Sequence, residues 1–390
     1  MKPLIVLFVS HSSDMYGAEQ SLLSLVTNLK QRKKIIPIVL LPCKGRLQIE
    51  LQKAGVETIT HSYANWIGPK SILDRYVLKP LRLIKILPSL LVVIPRVKSI
   101  KPDLIYSNTI ASPLGAFIAI LTKTPHIWHA RENVQEGLNC DFDFGEKLSM
   151  KVIKKSSSVI CNSVAVKKNL AKLINKDYFK VVYNGFSFDT IWNKKPVSKT
   201  NVHNDSNKPV KIAIVGNIHP AKGHEDAVKA LAELISMGFN FQLSIVGEGN
   251  RFYIKALKEL SISLFVADKI TWHGYVNKPL MNLKDISMVL ICSRNESFGR
   301  TAVESIAAGI PVVGTSSGGL PEIISDGETG LLYNPGDYKH LAFQIKALIT
   351  DRKLYEKCIT TGQQKIKERF SMQQYVEQIE SIICETCSYK

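Results

Sequence analysis

Residues Ser293–Gly314 read SRNESFGRTAVESIAAGIPVVG. An apolar run, SMVLIC (Ser287–Cys292), leads into the stretch, and a second, IPVVG, closes it. Between them the apolar positions recur at helical spacing, with Val303, Ile306 and Ala307 on one face. The pattern is strand, helix, strand. The helix is expected to start near Phe298, which puts Glu304 nearly two turns inside it and Glu296 in the loop just past the first strand. A two-turn rise is about 11 Å. Paired glycosidase carboxylates lie roughly 5–9.5 Å apart, so these two glutamates suit different parts of one long ligand. The helix start between them favours a phosphate, and Gly299 lets it approach the backbone. Carboxylates accept hydrogen bonds from hydroxyls. A ligand with hydroxyls, then phosphate, then hydroxyls is implied, and a nucleotide sugar fits. The spacing alone is equally met by a solvated helix glutamate and an ordinary loop glutamate.

The same alternation runs outward in both directions. PLIVLFV, IPIVLL, DLIYS, HIWH, SVICN and KVVYN mark the first half; VKIAIVG, FQLSIVG, KITWHG, SMVLIC, IPVVG and GLLY mark the second. Unbroken apolar runs of this length suit parallel strands covered on both faces. Their alternation with helices implies right-handed crossovers and an open α/β sheet. The polar stretch 189–209 interrupts the pattern, which restarts at Val210. The expected organisation is a Rossmann-like domain over 1–188, a linker over 189–209, and a second Rossmann-like domain over 210–368. A helix over 369–390 would pack back towards the first domain. Two doubly wound domains facing across a cleft are the natural reading, and 390 residues are enough for two cores.

Charge is distributed unevenly. The chain carries 51 Lys+Arg against 33 Asp+Glu, a net of +18. Residues 1–200 hold 30 and 13, and the remaining 190 hold 21 and 20. The first half is therefore suited to an anionic partner. Two basic runs with interleaved apolar residues, 70–101 and 147–180, suit interfacial binding to anionic lipid. Pro80, Pro88 and Pro95 are expected to break the first run into short pieces. The seven cysteines are scattered and do not suggest a disulfide framework. Cys384 and Cys387 lack a second pair to complete a metal site. Asp141-Phe142-Asp143 matches an Asp-x-Asp pattern but is expected in a polar loop rather than at a strand end.

Five segments resemble one family. Asn295–Asp337, NESFGRTAVESIAAGIPVVGTSSGGLPEIISDGETGLLYNPGD, resembles the E-x(7)-E signature of the retaining glycosyltransferases of family 4, which have the GT-B fold. YGAEQSLLSL, VVYNGFSFD, VGNIHPAKGHEDAVKAL and LSIVGEGNRF are similar to further family segments in the same order. The resemblance implies a metal-independent transferase with no cofactor. Its substrates would be a nucleoside-diphosphate sugar and a saccharide or lipid-linked acceptor. It implies that Glu304 binds the ribose, Glu296 the donor sugar and Lys222 the diphosphate. Gly216, Asn217, Ser297, Phe298, Gly299, Arg300 and Thr301 would complete the donor site, with Gly17 approaching from the first domain. His129, Glu296 and Lys222 would serve catalysis. His126 sits earlier in the same strand, where it is expected to face the core. Tyr16, Arg131 and Glu132 would meet the acceptor. The chain departs from the family at Asn217, where an Arg is usual, and Arg300 is the residue that could compensate. It departs again at Tyr16, where the first loop usually has Gly.

The implied setting is surface-polysaccharide or glycolipid assembly, with the protein cytoplasmic and peripheral on the inner face of the membrane. A soluble acceptor is the alternative. Two distant readings differ in class. GEGNRF imitates G-x-G-x-x-G, but Phe252 stands where the third glycine would be. Against a nucleic-acid-binding protein, no recognised module accompanies the basic half.

Overall fold

The computed structural model describes residues 2–69, 79–133, 140–174, 179–188, 208–276, 279–283 and 285–388. Most of the expected linker, residues 189–207, lies outside them. The chain divides into two units. The first comprises Met1–Gly185 with Met372–Lys390, and the second Phe186–Ser371.

In the first unit the strands are β1 (Leu4–Val9), β2 (Ile35–Leu41), β3 (Glu57–Thr60), β4 (Ile67–Pro69), β5 (Leu104–Ser107), β6 (His126–Ala130), β7 (Cys140–Phe142), β8 (Ser158–Cys161) and β9 (Phe179–Val181). Seven form one sheet in the order β3-β2-β1-β5-β6-β8-β9, and every pair in it is parallel. Burial on both faces explains why these strands read as apolar runs: Val6, Leu7, Phe8, Leu104, Ile105 and Tyr106 are all fully buried. The last helix, Met372–Ser388, lays Tyr375, Val376, Ile379 and Ile383 into this core. Its Glu380 takes Arg32 at 3.0 Å and Lys34 at 3.3 Å.

In the second unit β10 (Val210–Val215), β11 (Phe241–Val246), β12 (Ile270–Gly274), β13 (Met288–Ile291), β14 (Val312–Thr315) and β15 (Leu331–Tyr333) form a sheet ordered β12-β11-β10-β13-β14-β15. It too is parallel throughout. Phe186 belongs to this unit because its ring stacks on Phe298 and its N–H donates to the Phe370 carbonyl. In each sheet the winding direction reverses once, between β1 and β5 and between β10 and β13. Loops leaving the carboxyl ends of those strands are where open α/β sheets hold ligands.

Three local expectations change. Residues 140–142 are not a loop; they form β7, antiparallel to β4. Asp143, just beyond, is buried and takes both its oxygens to Arg82 at 2.6 Å. Second, the first basic run is not broken at its prolines. Lys79–Ile100 is one helix with Pro88 and Pro95 inside it. Pro80 stands in the first turn, where the N–H has no helical partner anyway. Pro88 and Pro95 lie on the outer face, and Ile86, Leu90, Val93 and Val97 anchor the inner one. Third, the second basic run is divided among a helix (Glu146–Lys154), β8, a helix (Val164–Ala171) and β9, so it is not a single surface.

Candidate functional site

In the second unit, β10 is followed by Gly216, whose φ of +147° suits glycine. The chain then runs through exposed Asn217 to a single helical turn, Pro220–Lys222. Gly223 follows at φ +63°, and a Cβ there would meet the Cys292 carbonyl at 2.0 Å. That close approach sets Lys222 against the loop leaving β13. Lys222 Nζ donates to Glu296 Oε2 at 2.6 Å, and Ser293 Oγ donates to the same oxygen at 2.7 Å. Burial pushes the Glu296 carboxyl up, but the Lys222 charge and these hydrogen bonds outweigh it and hold the carboxyl below its ordinary range. The pair stays open to solvent: the Lys222 side chain is 38% exposed and that of Glu296 18%.

The helix of the opening stretch is Arg300–Ala307. It starts later than the periodicity suggests, because Gly299 sits at φ +105° and cannot be its first residue. Glu304 is therefore the fifth helical residue, one turn inside and about 6 Å along the axis from Arg300. Phe298 offers its backbone alone; its ring is buried against Phe186 and Phe370. The Arg300 side chain turns along its own helix, with Nη2 2.9 Å from Glu304 Oε1 and the guanidinium over the Phe186 ring. Ser297 and Thr301 are half-buried beside it.

In the first unit, Tyr16 is 60% exposed at the cap of the helix Gly17–Gln31, and Gly17 opens that helix. Two residues on, Glu19 is buried with its carboxylate 3.2 Å from His11 Nδ1. Burial pushes Glu19 up to about 7 and His11 below the usual histidine range. His129 lies on β6, fully buried. Its Nδ1 is 2.6 Å from the Tyr106 hydroxyl and 3.1 Å from Arg131 Nη2. Arginine can only donate, so Nδ1 accepts and Nε2 carries the proton. Nε2 has no partner. Burial, then the Arg131 charge, holds this imidazole well below its usual range, hence neutral.

Arg131 follows at the end of β6, buried. Nε donates to the Asn108 carbonyl and side chain, Nη1 to Asn184, and Nη2 to the Tyr375 hydroxyl at 2.9 Å. Its guanidinium is thus engaged inside the unit at all three nitrogens. The Glu132 carboxyl, pushed up by burial, accepts from the Arg131 N–H at 3.3 Å. His126 is also buried; it meets Ser107 Oγ at 2.8 Å, and burial takes it down to about 3. Among the described residues no group of three metal-ligating side chains is assembled.

Residues 198–365 match the family model for glycosyl transferases group 1. That match falls within the second unit. N-acetyl-alpha-D-glucosaminyl L-malate synthase of Bacillus anthracis is 29% identical over 209 residues; the match covers 53% of this chain and 54% of that one, so the chain spans about half its length. The capsular polysaccharide biosynthesis glycosyltransferase CapM of Staphylococcus aureus is 24% identical, with 72% and 76% covered. The structure of Anabaena Alr3699/HepE in complex with UDP-glucose superposes with a TM-score of 0.79 at 22% identity, covering 99% of this chain and all of that one. Likeness of that extent shows the GT-B fold.

Within the second unit the structure brings together residues that spacing did not single out. Asp226 takes Arg294 at 2.6 and 2.8 Å, the Tyr333 hydroxyl at 3.1 Å and the Gly336 N–H at 3.0 Å. It ties the loop after β13 to the turn after β15. A polar residue on the buried face of the helix His224–Ser236 was the available signal. GEGNRF serves a local purpose in this domain. A Cβ on Gly247 would meet the Gly216 carbonyl at 1.8 Å, and Asn250 caps the helix Arg251–Ser263. Phe252 stands 84% exposed.

Proposed function

We propose that the protein transfers a sugar from a nucleoside-diphosphate donor to a saccharide or lipid-linked saccharide, with retention and without a metal ion. The observation that carries this reading is the Lys222–Glu296–Ser293 constellation beside the Arg300–Ala307 helix start, where the winding of the second sheet reverses. In this reading Lys222 and the helix N-terminus neutralise the departing diphosphate. Glu304 accepts from the ribose hydroxyls, and Glu296 from the sugar. The bond from the anomeric carbon to the diphosphate oxygen breaks with its electron pair leaving on that oxygen. The acceptor hydroxyl bonds to the same face of the carbon, and its proton passes to the departing phosphate. His129 acts as a neutral Nε2–H donor to a substrate oxygen, not as a base. Gly216 and Asn217 supply backbone to the diphosphate, and Gly17, Tyr16 and Glu132 remain candidates in the first unit. Arg131 is better read as the group that orients His129.

The similarity to CapM supports a place in surface-polysaccharide assembly; work at the inner face of the membrane, on a saccharide or glycolipid, is proposed on the basic excess of residues 1–200. The experiment is isothermal titration with a panel of nucleotide sugars, first on the wild type and then on Glu304→Gln. A carboxylate-to-hydroxyl hydrogen bond is worth about 1.5–3 kcal/mol, so the variant should bind the preferred donor roughly tenfold or more weakly. Unchanged affinity in a folded variant would take Glu304 out of the site. A wild type that binds no nucleotide sugar overturns the reading as a whole.

A further inference from the structure

The helix Lys79–Ile100 presents two apolar faces where a surface helix needs one. Ile86, Leu90, Val93 and Val97 complete the core of the first unit. On the other side Leu81 (51%), Ile84 (68%), Leu87 (65%), Leu91 (70%) and Val92 (58%) stand exposed. At 100° per residue these five lie on one stripe. Exposed apolar residues scattered singly need no explanation, but a contiguous stripe marks an interaction site. The helix carries five basic residues and no acidic one. Lys85 and Arg96 are exposed along one margin of the stripe, and Lys98 ends it at the C-terminal turn. Arg82 is not part of the surface, because its guanidinium is held by buried Asp143.

We infer that this outward face is an interfacial docking surface for an anionic lipid bilayer, with the leucine stripe inserted at the headgroup boundary and Lys85, Arg96 and Lys98 against lipid phosphates. The charge pattern selects this occupant. A protein partner would leave three unpaired cations at the rim unless it supplied matching carboxylates, whereas an anionic lipid surface matches a one-signed margin along the whole helix. Apolar stripe, basic flank and no acidic residue are the composition of helices that lie in the interface plane. No helix among the described residues is long and apolar enough to cross a membrane, so contact would be from one side. The inference gives a surface to the membrane setting proposed above, and it is read without donor or acceptor.

The test is co-sedimentation of the full chain with vesicles of phosphatidylglycerol and phosphatidylcholine in equal parts, and with phosphatidylcholine alone. Wild type should pellet with the mixed vesicles, release as salt rises, and bind the neutral ones weakly. Leu87→Ser with Leu91→Ser, both on the exposed face, should lower partitioning by about tenfold or more. Lys85→Ser with Arg96→Ser should lose the preference for anionic lipid. Phe252→Ser, an equally exposed apolar residue in the second unit, should behave as wild type. Donor affinity of the leucine variant should be unchanged, so failure here and failure of the sugar-transfer reading are told apart. The inference falls if wild type ignores the mixed vesicles, or if the leucine variant pellets as well as wild type. It also falls if the stripe proves to join two copies in sedimentation velocity with no lipid binding.

Discussion

The two units each gather charged side chains at the carboxyl ends of central strands, yet they treat charge in opposite ways. In the first, Arg131 is buried and bonded at every nitrogen to groups of its own unit. In the second, Lys222 and Glu296 face each other in a pair that keeps one side in water. A buried polar network is costly to disturb, because each partner left behind stays desolvated. A half-exposed ion pair is worth little and exchanges partners cheaply. The first cluster is suited to holding geometry. The second is suited to giving up its internal partner when an anion and hydroxyls arrive.

The comparison breaks most readily at Arg131. Replacement with Met would strip the Asn108 carbonyl and side chain, the Asn184 side chain and the Tyr375 hydroxyl of the donor they share in the interior. The expected loss is about 3 kcal/mol or more, seen as a large drop in the denaturation midpoint. A variant as stable as wild type would show that the network is not a scaffold.

Glu19 sharpens the contrast through pH. Its folded-state pKa is raised from 4.5 to about 7, chiefly by burial. A raised carboxyl favours the fold only while protonated, so stability is present at low pH and declines as pH rises from the ordinary carboxylate range through about 7. The total is about 3 kcal/mol. His11, lowered by burial, acts in the opposite direction and weakens the fold as pH falls. The difference between Glu19→Gln and wild type isolates the glutamate. It should be near zero at about pH 4 and should favour the variant progressively towards about pH 8. A flat difference would mean that the carboxyl is not held protonated.

Lys222→Met should have the smallest effect on stability. The pair is partly solvated, so its loss should cost no more than about 1 kcal/mol near neutral pH. Glu296 is lowered in the fold, so its contribution is present above the ordinary carboxylate range and vanishes in acid, and the cost should vanish there too. Donor affinity, by titration, should nonetheless fall about tenfold. If Lys222→Met cost as much stability as the Arg131 variant but left donor binding intact, the two clusters would be alike, and the contrast would fail.

Much of this was legible in the residues. Strands buried on both faces must be apolar along their whole length, and crossover helices must show one apolar face, so the order of elements can be read locally. Glycines at close approaches are legible for the same reason: Gly223 and Gly247 stand where a Cβ would strike a carbonyl. The helix start at Arg300 was missed by two residues, because periodicity reports which face is buried and not where the backbone turns left-handed. The continuity of Lys79–Ile100 was missed because proline weakens a helix only as far as packing fails to compensate.

What the sequence determined by itself was the chain order of six of the seven strands in the first sheet and of all six in the second, the restart of the pattern at Val210, and the uneven charge, all carried by near neighbours in the chain. Only the tertiary structure decided which charges face inward. Arg131 meets Tyr375 across 244 positions, Asp226 gathers partners from two later loops, and Arg82 is claimed by Asp143 while the leucines beside it face solvent. The physical reason is that a side chain's neighbours along the chain settle its secondary structure. Its charge state, hydrogen bonds and exposure depend on groups that only folding brings within a few ångströms.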